Sequence, residues 1–222
     1  MAVDIALRSV PDQFVAKLGL CELYWRVDDE GGFGNEGSGP VRDLFDSVDT
    51  ILYRTEGKRH NVIQAGGNCG LYARWYSQHF DNVFTFEPTR GNFEALSINA
   101  AQVDNIWAFN CALGDGIRPY VKIRQSYEDN CGADTYEPSD ESGEAPCLSL
   151  DQIALNLGPI DIIHLDCEGY EPNILRGAQK LIERDHPVII IENPDKLSER
   201  LKELGYTGCE RLHSDQIFVY IG

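Results

Sequence analysis

His164, Asp166 and Glu168 stand two residues apart in DIIHLDCEGYE, residues 161–171. On an extended chain that spacing turns all three side chains to one face. An imidazole and two carboxylates held together can accept a substrate proton or position a hydroxyl. The apolar stretch Ile160 to Leu165 predicts a central strand, with His164 inside it and the two acids at or past its end. A buried acid costs free energy unless a ligand or cation compensates it, so Asp166 is read as functional. His164 carries two readings, a hydrogen-bonded core histidine and a catalytic group.

A second stretch has a different chemistry. Asn61 to Leu71 reads NVIQAGGNCGL, an apolar pair running into a turn with Gly66, Gly67 and Gly70, then a helical pattern. Strand, glycine turn and helix form a nucleotide cradle, because missing side chains let a ligand approach the backbone and the helix N-terminus. AGGNCG does not fit the dinucleotide fingerprint G-x-G-x-x-G. Gln64, Gly66, Asn68 and Gly70 do fall on the [D/E]-x-G-x-G-x-G spacing of class I methyltransferases, with Gln64 in the acidic slot. Asn68 takes the middle slot, and Asn tolerates positive φ well. Glu87 follows Gln64 by 23 residues, where a carboxylate can accept both ribose hydroxyls. Asn110 to Asp115, NCALGD, passes near an adenine ring in this reading, with Ala112 as its contact.

The elements that must position these groups follow from periodicity. Strands are predicted at Asn61–Ala65, Val83–Phe86, Ile106–Cys111, Ile160–Leu165 and Val188–Ile191. Helices are predicted between them, at Cys69 to Phe80, Thr89 to Ala101, from a Ser149-x-x-Gln152 capping box, and from Glu171 to Arg184. This alternation implies a parallel sheet covered on both faces. Asn193 and Pro194 open a further helix that Gly205 ends, and Thr207–Leu212 with Gln216–Ile221 form a closing hairpin. Ligands of such sheets bind beyond the carboxyl ends of the strands, where Gln64, Glu87, Asp166, Glu168 and Glu192 fall.

Two regions break the rhythm. Residues 1–58 read as an N-terminal extension or cap. It has two helical turns over Pro11 to Leu18, a strand over Leu20 to Val27, and an amphipathic helix through Val41, Leu44, Val48 and Ile51. That helix is expected to pack beside the first core strand or to cover the site. The loop between them holds a literal G-x-G-x-x-G at Gly32, Gly34 and Gly37, which carries little weight without a strand before it. Residues 120–147 form an acidic insertion. Val121 and Ile123 alternate like an edge strand, and Glu128 to Glu144 holds seven acids with neither Lys nor Arg, read as a solvated loop or a lip over the substrate.

Composition sets outer limits. The 222 residues fit one domain with a full core. A formal net charge of −17 argues against nucleic acid or an anionic membrane as partner, since either needs Lys and Arg to displace counterions. The N-terminus does not read as a secretory signal, and no run is long enough to cross a membrane. Seven cysteines lack C-x-x-C pairs and zinc spacing, so a reducing cytoplasm is expected.

Taken together, VIQAGGNCGLYA, VFTFEPTRGNFEALSINA, CALGD, CLSLDQI, DIIHLDCEGYEPNILRGAQKLIERDHPVIIIE and LKELGY resemble the FkbM-family methyltransferases over roughly residues 60–206. The resemblance implies an α/β Rossmann-like class I methyltransferase fold over residues 59–222. Its sheet would be mostly parallel and seven-stranded, with helices on both faces and an antiparallel C-terminal strand. It implies S-adenosylmethionine as cofactor and methyl transfer to a hydroxyl of a small molecule or sugar; a non-catalytic module that kept the fold is the alternative. Expected cofactor-binding residues are Gln64, Gly66, Asn68, Gly70, Glu87 and Ala112; Asp166, His164 and Glu168 are expected at the reaction. Relatives usually carry Asp at the position of Gln64 and Lys at that of His164. Losing that charge assistance costs about 1 kcal/mol of cofactor binding. No metal is expected, because sequence spacing alone does not converge Asp166, Glu168 and Glu192. A homo-oligomer is left open.

Overall fold

A computed structural model describes residues 3–29, 33, 39–125, 130–192, 194, 197–213 and 215–222. The glycines of the literal fingerprint at 32, 34 and 37, and Asn193, lie outside the described residues.

The N-terminal region holds β1 (Ile5–Ser9), α1 (Asp12–Leu18), β2 (Glu22–Arg26) and α2 (Pro40–Arg54). β1 and β2 pair as a small antiparallel ribbon. The sequence reading missed β1, whose IALRS pattern is mostly exposed. α2 forms as its spacing predicts: Pro40 opens it, and Val41, Leu44, Val48 and Ile51 are buried on one side.

Then come β3 (Asn61–Ala65), α3 (Leu71–Tyr76), β4 (Asn82–Phe86), α4 (Arg90–Ala100), β5 (Ile106–Phe109) and β6 (Ala112–Leu113). β7 (Tyr120–Arg124), β8 (Thr135–Ser139), β9 (Ala145–Leu148) and α5 (Leu150–Ile153) follow. The chain ends with β10 (Ile160–Leu165), α6 (Glu171–Arg176), α7 (Gln179–Asp185), β11 (Val188–Glu192), α8 (Ser198–Glu203), β12 (Tyr206–Leu212) and β13 (Asp215–Tyr220).

Seven strands form the main sheet in the order β12-β13-β11-β10-β3-β4-β5. Its inner strands are parallel, and β13 pairs antiparallel with both neighbours, as the alternation and hairpin predict. The chain leaves β3 in one direction and returns to its other side at β10, so the order reverses between these two strands. One face packs Ile63, Ile163 and Ile191 against Leu150, Leu175, Leu181 and Leu201. The other packs Val62, Ile162 and Ile190 against Val48, Ile51, Trp75 and Leu96. Helices therefore cover both faces.

Three expectations need correction. The acidic insertion is not a plain loop: β6 to β9 make a second, four-stranded sheet, and polar Thr135–Ser139 pairs along Tyr120–Arg124. Backbone pairing overrides a composition that reads as solvated. The helix expected over Glu171 to Arg184 is two, α6 and α7. They break at Gly177, where any Cβ would run into the Gly114 carbonyl. The helix expected to open at Pro194 begins there as a 3-10 turn, with the Leu197 N–H donating to the Pro194 carbonyl (2.8 Å), and α8 proper runs from Ser198 with Leu197 as its cap.

Candidate active site

Strand register explains where the polar groups go. Thr85, Gln64 and His164 are neighbours across β4, β3 and β10. They form one transverse polar row on the sheet face covered by α2 and α3. Two residues further along each strand the same face carries Glu87, Gly66, Asp166, Glu192 and Asp215, with Glu192 opposite Asp215. This second row sits at the carboxyl ends of the parallel strands and at the point where strand order reverses. Gly66 is the gap in it. Its φ of +82° suits glycine, and a side chain there would collide with the Asp166 carbonyl.

A cavity of about 290 Å³ opens over the second row. Gly66, Asn68, Glu87, Asp166, Glu168 and Asp215 are in its floor and walls. α2 and α3 contribute Pro40, Asp43, Ser47 and Tyr72, and the insertion contributes Asn130, Cys131, Gly132 and Tyr136. The insertion wall is braced from behind. Asn92 Nδ2 donates to the Cys131 carbonyl (2.9 Å), and the Cys131 thiol donates to Asp29 Oδ2 (3.1 Å).

The glycine turn is satisfied within the protein. The Gly66 and Gly67 N–H groups both donate to the Phe86 carbonyl (3.1 and 3.0 Å), and Gly70 N–H donates to Gly67 O (2.9 Å). Asn68 has φ 44°, as expected for its slot, and its N–H donates to Glu87 Oε2 (2.8 Å). Glu87 Oε1 accepts from Thr89 N–H (2.8 Å). The Glu87 carboxylate is thus tied at both oxygens, though each keeps a lone pair for a ribose hydroxyl. Burial pushes its carboxyl up to about 7, against the pull of those two N–H groups.

The other expected residues divide. Gln64 is buried, accepts from the Thr85 hydroxyl (3.0 Å) and donates weakly to Gly66 O (3.4 Å); it is not among the cavity-lining residues. Gly70 caps α3 behind the turn. Ala112 lines an apolar slit with Phe86, Pro88, Leu113 and Tyr170 that adjoins the cavity at Gly66, Tyr136 and Cys167. That slit is about 10 Å³, too narrow for a purine as it stands. His164 is sealed beneath the acids. Its Nδ1 pairs with the Tyr76 hydroxyl at 3.1 Å, and Nε2 lies 3.8 Å from Asp215 Oδ2.

Asp166 and Glu168 do meet, and Glu192 joins them. One oxygen of each lies within 4.8 Å of the others. Asp166, expected from the sequence to be a buried acid, is instead exposed to the cavity. Lost hydration raises it well above the usual carboxylate range, and Glu192, Asp215 and Glu168 add to this by charge repulsion. Glu168 is pushed up to about 7, first by burial and then by Glu192, Glu171 and Asp134. Glu192 was legible as a strand-end acid. Asp215 was not: it falls at the hairpin, and only pairing with Glu192 reveals its place.

A mostly parallel sheet with this strand order, an antiparallel closing hairpin and a cavity at its reversal point defines a Rossmann-like class I methyltransferase fold. A family model, the methyltransferase FkbM domain, matches residues 65–207, and the chain belongs to that family. S-adenosylmethionine is its methyl donor. No curated protein matches the chain.

Solved structures give distant likenesses. The FkbM methyltransferase of Methylobacillus flagellatus is 16% identical with a TM-score of 0.48, over 81% of this chain and 54% of that one. The chain thus spans about half the length of that relative. A Pyrococcus horikoshii putative RNA methyltransferase is 10% identical, TM-score 0.49, over 86% and 92% of the two chains. The tRNA (uracil-54, C5)-methyltransferase of Pyrococcus abyssi, in complex with S-adenosyl-L-homocysteine, is 11% identical, TM-score 0.46, over 89% and 41%. At this distance neither substrate nor site residues carry across.

The cavity suits the donor in charge. Six carboxylates line it, and among the described lining residues there is neither Lys nor Arg, so a sulfonium and an ammonium enter a complementary field.

Proposed function

We propose that this chain transfers a methyl group from S-adenosylmethionine to a hydroxyl of a small molecule or sugar. The observation that carries the reading is the row of acids at the reversal point, in a chain of this family. The cofactor supplies a methyl group already activated on sulfur. The protein then has to bind, orient and deprotonate the acceptor.

Asn68 and the glycine turn form the wall toward the donor, and Glu87 offers its remaining lone pairs to the ribose. Asp166 faces the cavity and positions the acceptor hydroxyl or the donor's amino group. Glu168, half-buried and raised to about 7, suits the proton-accepting role, because a base near the working pH is most effective. His164 does not touch the cavity; it acts as a positioning residue through Asp215.

Residues 1–58 serve as a cap in this reading, supported by Pro40, Asp43 and Ser47 in the cavity wall. The insertion at 120–147 supplies the opposite wall. A phosphate-bearing acceptor or a nucleic acid is disfavoured by the same six carboxylates. No helix among the described residues is long and apolar enough to cross a membrane. The seven cysteines, all unpaired, suit a reducing cytoplasm.

The test is calorimetry with S-adenosylhomocysteine, followed by transfer of labelled methyl to a panel of hydroxylated acceptors. Heat and transfer are expected. Heat without transfer to any acceptor would favour a non-catalytic module. Absence of heat would remove the donor itself.

A further inference from the structure

Asp166, Glu192 and Asp215 stand side by side on three neighbouring strand ends, and Glu168 folds back over them from the following turn. Asp166, Glu168 and Glu192 each bring one oxygen within 4.8 Å of the other two. That separation is what oxygens sharing one small cation adopt, since each sits about 2.0–2.6 Å from the ion. Like charges so close oppose one another, and among the described lining residues there is neither Lys nor Arg to offset them.

A second feature lies underneath. His164 is 1% exposed, and its Nδ1 is taken by the Tyr76 hydroxyl. Its Nε2 has no hydrogen-bond partner in the structure and points up at Asp215, 3.8 Å away. A buried ring nitrogen is rarely left unpaired. An ion above the ring removes both anomalies. It neutralises the acids, and it draws Asp215 and its water into place over a nitrogen ready to hydrogen-bond them. Carboxylates around a metal commonly have such a partner behind them.

We propose that Asp166, Glu168 and Glu192 bind one divalent cation, with Asp215 and His164 supporting the site from the sheet side. The donors are oxygens only, so the fitting ions are hard ones: magnesium, manganese or calcium rather than zinc or copper. Cys167, between two of the ligands, is packed into the opposite core layer and stays out of the site. The ion's role rests on the reading of this cavity as the methyl-transfer site. There it would hold the acceptor hydroxyl and lower its pKa, so that with the ion bound Asp166 and Glu168 act on the acceptor through the ion rather than directly. Binding of the ion is independent of that reading.

The experiment uses the full chain, stripped with chelator, and MgCl2, MnCl2 or CaCl2 as probe at fixed ionic strength. Calorimetry should give one ion per chain, and the melting temperature should rise where sodium chloride of equal ionic strength leaves it unchanged. Asp166→Asn and Glu192→Gln should each weaken binding about ten-fold or more, the usual effect of losing a ligand or its support. His164→Gln should weaken it less. Manganese should also broaden the amide signals of Gly66 and residues 166–168 in the wild type, a readout that survives if a variant does not fold.

No saturable binding up to about 1 mM, the weak end for built oxygen sites, overturns the proposal. Binding that both ligand variants retain in full also overturns it. S-adenosylhomocysteine is titrated in parallel. Heat from it in chelator, with no ion binding, sinks the ion site alone; ion binding without that heat sinks the methyl-transfer reading alone.

Discussion

The two walls of the cavity are built on opposite terms. The glycine turn has its N–H groups paired, Glu87 braced by two of them and Gln64 tied to Thr85. The acid row across the reversal point is loaded instead. It crowds carboxylates together, lifts Asp166 and Glu168 above their ordinary range, and leaves His164 Nε2 unpaired. One wall is complete without a ligand and the other is not. Unfavourable contacts persist where function needs them, and a ligand is what relieves them.

Breaking the loaded wall should have the largest effect. Asp166→Asn is expected to cut methyl transfer about 100- to 10,000-fold, the range for losing a positioned acid–base group. The fold, read by circular dichroism, should survive; unchanged S-adenosylhomocysteine affinity would place Asp166 on the acceptor hydroxyl, and a loss of affinity would place it on the donor's amino group. Wild-type turnover in that variant would remove Asp166 from the mechanism.

Breaking the complete wall should cost stability before chemistry. Gly66→Ala puts a side chain against the Asp166 carbonyl at a φ of +82°. It should destabilise by about 3 kcal/mol, measured by urea unfolding. A loss under about 1 kcal/mol would mean the turn shifts easily, contrary to the bracing described above.

pH acts on both walls in the same sense. Glu87 titrates at about 7 in the fold against an ordinary 4.5, so the folded state binds more protons between those values. The stability it contributes is therefore full below about 4.5 and lost as pH rises through about 7, about 3 kcal/mol in all. Glu168 shifts in the same direction. Glu87→Gln should flatten part of the fall in unfolding free energy between pH 5 and pH 8. An unchanged slope would place the burden elsewhere.

The smallest expected effect separates Gln64 from the donor. Thr85→Val removes the hydroxyl that donates to Gln64 and should cost about 1 kcal/mol of stability. S-adenosylhomocysteine affinity, measured by calorimetry, should stay within about two-fold, because Gln64 does not line the cavity. A large loss would return Gln64 to the cofactor-binding set.

Much of the fold was legible because its signals are local. Val62 to Ala65 leading into Gly66 announces strand and turn, and the closing hairpin follows from its apolar runs. Ser149 and Gln152 form the capping box that their spacing predicts. β8 was not legible, since TYEPS pairs only because Tyr120–Arg124 lies beside it. Nor was the break at Gly177, which depends on Gly114, 63 positions earlier.

The candidate site divides the same way. That Asp166 and Glu168 lie at a strand end is a matter of two-residue periodicity within one segment, and sequence by itself determined it. Sequence likewise determined the net charge that disfavours polyanions. That Glu192 and Asp215 come to stand beside them, that His164 is sealed below, and that Gln64 turns to Thr85 were decided by tertiary structure. Those contacts join strands far apart in the chain, and strand order and register are set by packing of the whole sheet rather than by any one stretch.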